Sequence, residues 1–233
     1  MLHKLPFRKR HLITLGVLFS LPVSIPVKAE DESTYSLSAN VMLTNDYRFR
    51  GYSLSNNDIA IQGGLDLATS SGFYAGTWGS SIESYAGAET ELDLYAGYGG
   101  EAGSVAYDVG VIAYIYPGST DTTYYEAYGS FSGEAGLLGW TLGAAYSFSQ
   151  ANIGGQDNIY IYGDGAIPLG ESGVSLTGHV GREDGAFGDN KWDWATGLSV
   201  PVGQFQLDVQ YVDTNLIDPM GSAAAAVSLS ASF

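Results

Sequence analysis

Odd positions from Tyr35 to Phe49 carry Tyr35, Leu37, Ala39, Val41, Leu43, Tyr47 and Phe49, while Ser36, Ser38, Asn40, Thr44, Asp46 and Arg48 fill most of the even ones. A period of two puts one set on each face of an extended strand. The pattern restarts along the chain. Its apolar phases are Ile59-Ile61-Leu65-Leu67, Leu92-Leu94-Ala96-Tyr98, Val105-Tyr107-Val109-Val111-Ala113-Ile115, Tyr125-Ala127-Phe131, Leu138-Trp140-Leu142-Ala144-Tyr146-Phe148, Val174-Leu176-Val180, Trp192-Trp194-Leu198-Val200, Phe205-Leu207-Val209-Tyr211 and Val227-Leu229-Ala231-Phe233. With two segments of ambiguous phase, 72–82 and 157–168, the chain reads as all-β with about 12 strands.

A soluble sandwich alternates in the same way, so the connections carry the choice between them. Tight links at Thr69-Ser70-Ser71, Gly99 to Gly103, Ser132 to Ala135, Gly170-Glu171-Ser172 and Pro201-Val202-Gly203 alternate with longer polar ones near 50–57, 83–90, 117–122, 149–157, 182–191 and 213–223. Short turns at one end and longer loops at the other are the rhythm of a single antiparallel up-and-down transmembrane β-barrel. No stretch after residue 29 is apolar for the roughly 20 residues a spanning helix needs, so insertion in a membrane would have to use strands.

Residues 1–29 read as a cleaved signal peptide: Lys4, Arg8, Lys9 and Arg10 precede the apolar stretch Leu12 to Leu21, and Val27-Lys28-Ala29 supplies small residues at the cleavage positions. The mature domain is then 30–233, one unit with no Pro/Ser-rich linker. Removing the leader leaves 4 basic and 25 acidic residues, a formal charge of −21. Nucleic acid is excluded as a partner, because phosphate binding needs clustered Lys and Arg and only Arg48, Arg50, Arg182 and Lys191 remain. With no cysteine there is no disulfide framework and no thiolate metal site. No cofactor or metal site is expected: Gly97, Gly99 and Gly103 lead into a strand instead of a helix, and Asp184, Asp189 and Asp193 lack the spacing of a calcium loop.

The 17 tyrosines of so acidic a chain fit a barrel with aromatic girdles. Phe49, Tyr125, Phe148, Trp192 and Tyr211 are expected at the outer interface, and Tyr35, Phe73, Trp140, Phe205 and Phe233 at the inner. The final in-phase Phe233 looks like the C-terminal aromatic signal of outer-membrane proteins.

Thr44-Asn45-Asp46-Tyr47-Arg48-Phe49-Arg50-Gly51, followed by Ile61-Gln62-Gly63-Gly64-Leu65-Asp66 and Gly72 to Gly79, resembles the TorF family of porins. Glu91 to Tyr98, Tyr107 to Gly110, Tyr116-Pro117-Gly118, Asp193-Trp194 and Tyr211 to Asn215 extend the likeness over the mature chain, with Arg48 standing where that family commonly has a neutral residue. The resemblance implies a Gram-negative outer-membrane barrel in contact with lipid and lipopolysaccharide, with no settled substrate.

On the polar phase lie Asp46, Arg48, Arg50, Asp58, Asp66, Glu91, Asp93, Asp108, Glu126, Asp193 and Asp208, the expected pore lining. A barrel of about 12 strands leaves a narrow lumen, and acids in excess of bases give it a weak cation preference, so passive diffusion of small polar solutes or cations is the expected function. Turns centred near 53, 100 and 202 would set Arg48 opposite Asp58, Asp93 beside Asp108 and Asp193 near Asp208. Two alternatives remain open: a structural or ligand-binding barrel with a closed lumen, and a barrel enzyme using His179 as base. A solitary inward histidine is more often a hydrogen-bonded lining residue, so no enzyme activity is expected.

Overall fold

The computed structural model describes residues 34–233; the proposed leader, 1–29, lies outside the described residues. Fourteen strands follow one another: β1 (Tyr35–Thr44), β2 (Arg48–Phe49), β3 (Tyr52–Ser53), β4 (Ala60–Thr69), β5 (Phe73–Tyr85), β6 (Ala88–Ala102), β7 (Val105–Ile115), β8 (Tyr124–Ala135), β9 (Leu138–Ser147), β10 (Asn158–Pro168), β11 (Ser175–Gly185), β12 (Gly188–Val202), β13 (Phe205–Thr214) and β14 (Ala224–Ser232). β1 and β4 to β14 form a closed antiparallel barrel of 12 strands, each paired with its sequence neighbours. Pairing of β1 with β14, Asn40 opposite Ser232 through Thr44 opposite Ser228, closes the ring and leaves no edge. Phe233 and Ala39 exchange two further backbone bonds at the seam.

The distribution of side chains is inverted relative to an aqueous protein. Leu37, Leu65, Val111, Leu142 and Ile161 are exposed on the outer wall, whereas Gln62, Glu91, Asp93, Glu126, Asp193 and Ser228 are buried inside. A ring of exposed branched aliphatics around a polar interior is the pattern a hydrocarbon solvent demands, and it rules out the sandwich. The two segments of unresolved phase fall into line. Tyr160 and Asp164 of β10 point inward and Ile159 and Ile161 outward, while β5 turns Phe73 out and keeps Ser80 buried.

Tyr35, Phe73, Phe205 and Phe233 are exposed at one rim and Tyr125, Phe148, Trp192 and Tyr211 at the other, while Trp140 is half-buried. Phe49 departs from its expected place in the girdle, because it lies inside the barrel, edge-on to Tyr114 at 5.8 Å.

Two connections differ from the sequence reading. Segments 83–90 and 182–191 are not loops; β5–β6 and β11–β12 stay paired out to Tyr85 opposite Ala88 and Gly185 opposite Gly188. Their polarity reflects the water above the membrane, not an absence of strand. The tight turns also fall later than expected. Gly103 and Gly203, both with positive φ (69° and 65°), occupy the hairpin tips, and the ladders close on Ala102 opposite Val105 and Val202 opposite Phe205.

Candidate functional site

β1 ends at Thr44 and the chain folds into the bore, where the sequence reading continued the strand to Phe49. Asn45 starts the departure by holding β14: its Nδ2 donates to the Ala225 carbonyl at 3.0 Å and its Oδ1 accepts from the Val227 N–H at 2.6 Å. The inward segment then makes its own hairpin, Arg48 opposite Ser53 and Phe49 opposite Tyr52. Arg50 and Gly51 form its tip with φ of 49° and 79°, the double positive pair of a tight primed turn. Gly51 is required twice over, by its φ and by space, since a Cβ there would lie 2.7 Å from Asp193 Cβ and against Thr214. The tip is therefore pressed on the β12–β13 wall.

Charge fixes the hairpin in place. Arg50 reaches across the lumen, donating to Glu126 of β8 at 2.6 Å and to Glu183 of β11 at 2.7 Å, with its guanidinium 4.5 Å from the Tyr160 ring centre and 4.7 Å from that of Phe49. Lys191 completes the group at 2.5 Å from Glu183. Arg48 anchors the root: it pairs with Asp46 at 2.5 Å, bonds Asn57 Oδ1 at 2.7 Å, and reaches the carbonyls of Met220 at 2.8 Å and Ser222 at 3.0 Å in the last loop. Asp46, Arg48 and Arg50 are thus interior residues, but they sit on a folded-in loop and not on the barrel wall. The expected Arg48–Asp58 bridge does not form, because Asn57 takes that place and Asp58 is exposed.

Deeper in the bore His179 stands between two carboxylates, with Nδ1 2.6 Å from Asp164 Oδ1 and Nε2 2.9 Å from Asp193 Oδ1; the Tyr160 hydroxyl is 2.8 Å from the same Nε2. A carboxylate only accepts, so each ring nitrogen faces an acceptor and the imidazole has the surroundings of a cross-brace between β10, β11 and β12. Toward the Phe73 rim the wall is less crowded. Tyr74 donates to Asp108 at 2.9 Å and touches the Tyr128 hydroxyl at 2.7 Å, Tyr95 donates to Asp66, and Ser199 donates to Asp208 at 2.6 Å.

The later turns separate the two expected acid pairs. Asp93 faces Tyr114 and Asp108 faces Gly99; Asp193 faces Thr214 and Asp208 faces Ser199. Asp108 lies six positions from Tyr114, the partner of Asp93, and Asp208 six from Thr214, the partner of Asp193, so each pair ends about 20 Å apart along the ladder. Asp93 instead shares the inner face of β6 with Glu91, two positions away.

Residues 28–232 match the family of bacterial proteins of unknown function termed Gcw_chp. The chain belongs to the Gcw_chp family. No curated protein sequence matches it. Solved structures give the fold. A KdgM porin superposes with a TM-score of 0.61 at 10% identity over 84% of this chain and 99% of that one. A KdgM porin in complex with disordered oligogalacturonate gives 0.58 at 9% identity over 84% and 98%, and a NanC porin gives 0.55 at 11% identity over 85% and 99%. At such identities the likeness is one of architecture.

In this Gcw_chp barrel several interior groups escape a reading of the sequence by composition. Glu183 and Lys191 fall in a segment whose polarity reads as a loop, although they face each other directly across β11 and β12; the period of two continued from His179 places Glu183 inside. Asp164 lies on a strand whose phase the sequence left open. Tyr74, Tyr95, Tyr128 and Tyr162 face inward, each directly opposite a glycine (Gly97, Gly76, Gly110 and Gly143), and a phenol laid on a glycine was the available signal.

Proposed function

We propose that this Gcw_chp protein is a porin-like channel of the Gram-negative outer membrane, exported by cleavage of residues 1–29 and seated in lipid and lipopolysaccharide. It passes small polar solutes by diffusion and weakly favours cations. The observation that carries this reading is a closed barrel, apolar outside and polar inside, whose bore is crossed by a short hairpin held largely by ion pairs and hydrogen bonds. Such a hairpin narrows the passage, its ion pairs standing beside the aromatic packing of Phe49 on Tyr114 and of Tyr47 on Trp78. The motif resemblance to TorF porins supports the same function.

Cation preference rests on the lining, in which Asp66, Glu91, Asp93, Asp108, Asp193 and Asp208 outnumber the bases. A low-dielectric wall focuses that field along the axis. It opposes a polyanion such as the oligogalacturonate named for one KdgM structure. In planar bilayers under a KCl gradient, the reversal potential is expected on the cation-selective side and to move toward zero in Asp108→Asn/Asp208→Asn. An unmoved potential would remove both residues from the permeation path.

The second reading, a structural barrel with a sealed lumen, is favoured by the burial of Arg50, Glu126, Glu183 and Lys191 at the hairpin. It predicts silence in bilayers both before and after the hairpin is released. Catalysis by His179 is disfavoured, because a ring engaged by a carboxylate at each nitrogen has no lone pair directed at a substrate.

A further inference from the structure

Around the hairpin, buried acids and bases are matched with two exceptions. Asp46 meets Arg48, Glu126 and Glu183 meet Arg50, Glu183 also meets Lys191, and Asp164 and Asp193 meet His179. Glu91 and Asp93, each 2% exposed, touch no basic side chain among the described residues. Glu91 Oε1 accepts from the Tyr47 hydroxyl of the inward loop at 2.9 Å, but Glu91 Oε2 and Asp93 Oδ1 have no hydrogen-bond partner. Two carboxylates at successive inward positions, carrying orphaned oxygens away from water, are costly unless a positive charge joins them or one of them keeps a proton.

Their surroundings suit such a charge. Trp78 and Tyr114 flank Asp93 directly on β5 and β7. Tyr47 stands edge-on to Trp78 at 5.4 Å, and Tyr114 stacks on Tyr124 at 4.6 Å. Electron-rich rings beside carboxylates attract cations through both the ring quadrupole and the full charge.

We propose that Glu91 and Asp93, flanked by Trp78 and Tyr114 and roofed by Tyr47, form a binding site for one monovalent cationic group, an alkali-metal ion or the ammonium head of a small solute. A divalent ion is a poor fit, because calcium takes six to eight oxygen ligands and no cluster of three or more His, Cys, Asp or Glu with metal-holding geometry exists among the described residues. The site rests on the channel reading in one respect, that the cation arrives from the permeating solution. It also joins occupancy to closure, since Tyr47 and the bound cation draw on the same carboxylate.

Trp78 is a built-in reporter. The protein folded in detergent is titrated, at each of two pH values, with KCl or methylammonium chloride replacing tetrapropylammonium chloride, whose bulky cation carries no N–H, at fixed ionic strength, and the Trp78 fluorescence is isolated by subtracting a Trp78→Phe variant. A saturable change is expected, lost in Glu91→Gln/Asp93→Asn and weakened in Asp93→Asn, with both variants keeping the heat-modifiable gel migration of a folded barrel. Response to potassium alone identifies an ion site, and response to methylammonium a solute-head site. The proposal is overturned by an equal response in the folded variants, by no saturation, or by a signal that follows pH but not cation identity, which would mean that the two carboxylates share a proton. Conductance without a titration removes the site and spares the channel; a saturating titration with silent bilayers does the reverse.

Discussion

Replacing Arg50 by Ala is expected to raise the open probability of the channel severalfold or more, read as single-channel current in a planar bilayer. Arg50 is the sole side chain of the hairpin that ties it by ion pairs to two separate wall strands, β8 and β11, among the described residues, and its partners Glu126 and Glu183 are 3% and 1% exposed. Breaking a buried ion pair by deleting one member costs about 3–5 kcal/mol, because the remaining charge is left without compensation. Glu183 keeps Lys191, which places the cost toward the lower figure. The barrel does not absorb this loss, since the ladder bonds of its strands are untouched. The penalty falls on the docked hairpin relative to an undocked one, and about 3 kcal/mol moves that equilibrium by roughly a hundredfold. Arg50→Lys should fall between wild type and Arg50→Ala, keeping the charge but not the fork that spans two carboxylates. Arg48→Ala should act in the same direction by freeing the root of the hairpin from the carbonyls of Met220 and Ser222. Unchanged current in Arg50→Ala would mean that the hairpin does not throttle the bore.

The barrel was readable in the sequence because the period of two is local: each strand announces its own faces, and lipid outside with water inside makes the contrast strong. Register was not, because it depends on where one turn residue sits. Gly103 and Gly203 decide it, and in the sequence they are hard to distinguish from Gly99, Gly100 and the Pro201-Val202 step beside them. The inward hairpin was concealed for a different reason. Asp46, Tyr47, Arg48 and Phe49 resume the alternation of β1 after a single polar residue in the apolar phase, Asn45, and what ends the strand is that residue bonding to positions about 180 residues away. The clamp on Arg50 is likewise non-local, its acids lying 76 and 133 residues along the chain. Parity could therefore identify Glu91, Asp93 and Glu126 as inward-facing but could not say which of them would meet a base.

Val111→Arg is expected to abolish or severely impair folding into lipid vesicles, whereas Ser130→Arg on the neighbouring strand should fold. Val111 lies in the middle of β7, 59% exposed, directly opposite Ala96 and Ala127 on the outer face. An arginine at the bilayer midplane of a barrel costs about 2–4 kcal/mol, a large part of the roughly 5–15 kcal/mol by which a folded protein is stable. Ser130 lies on the inner face of β8 opposite Asp108, where an arginine meets water and a carboxylate. The comparison gains force from its sign. In a water-soluble β-protein an exposed Val→Arg change is close to neutral and often improves solubility, because charged side chains belong on such a surface. In a membrane barrel the same substitution removes a lipid contact and strands a guanidinium in hydrocarbon, with snorkelling as the partial escape. The extent of the heat-modifiable band in vesicles, measured for both variants beside wild type, separates the two cases. A normally folding Val111→Arg protein together with a failing Ser130→Arg protein would turn the barrel inside out, and the assignment of every lipid-facing strand position would fall with it.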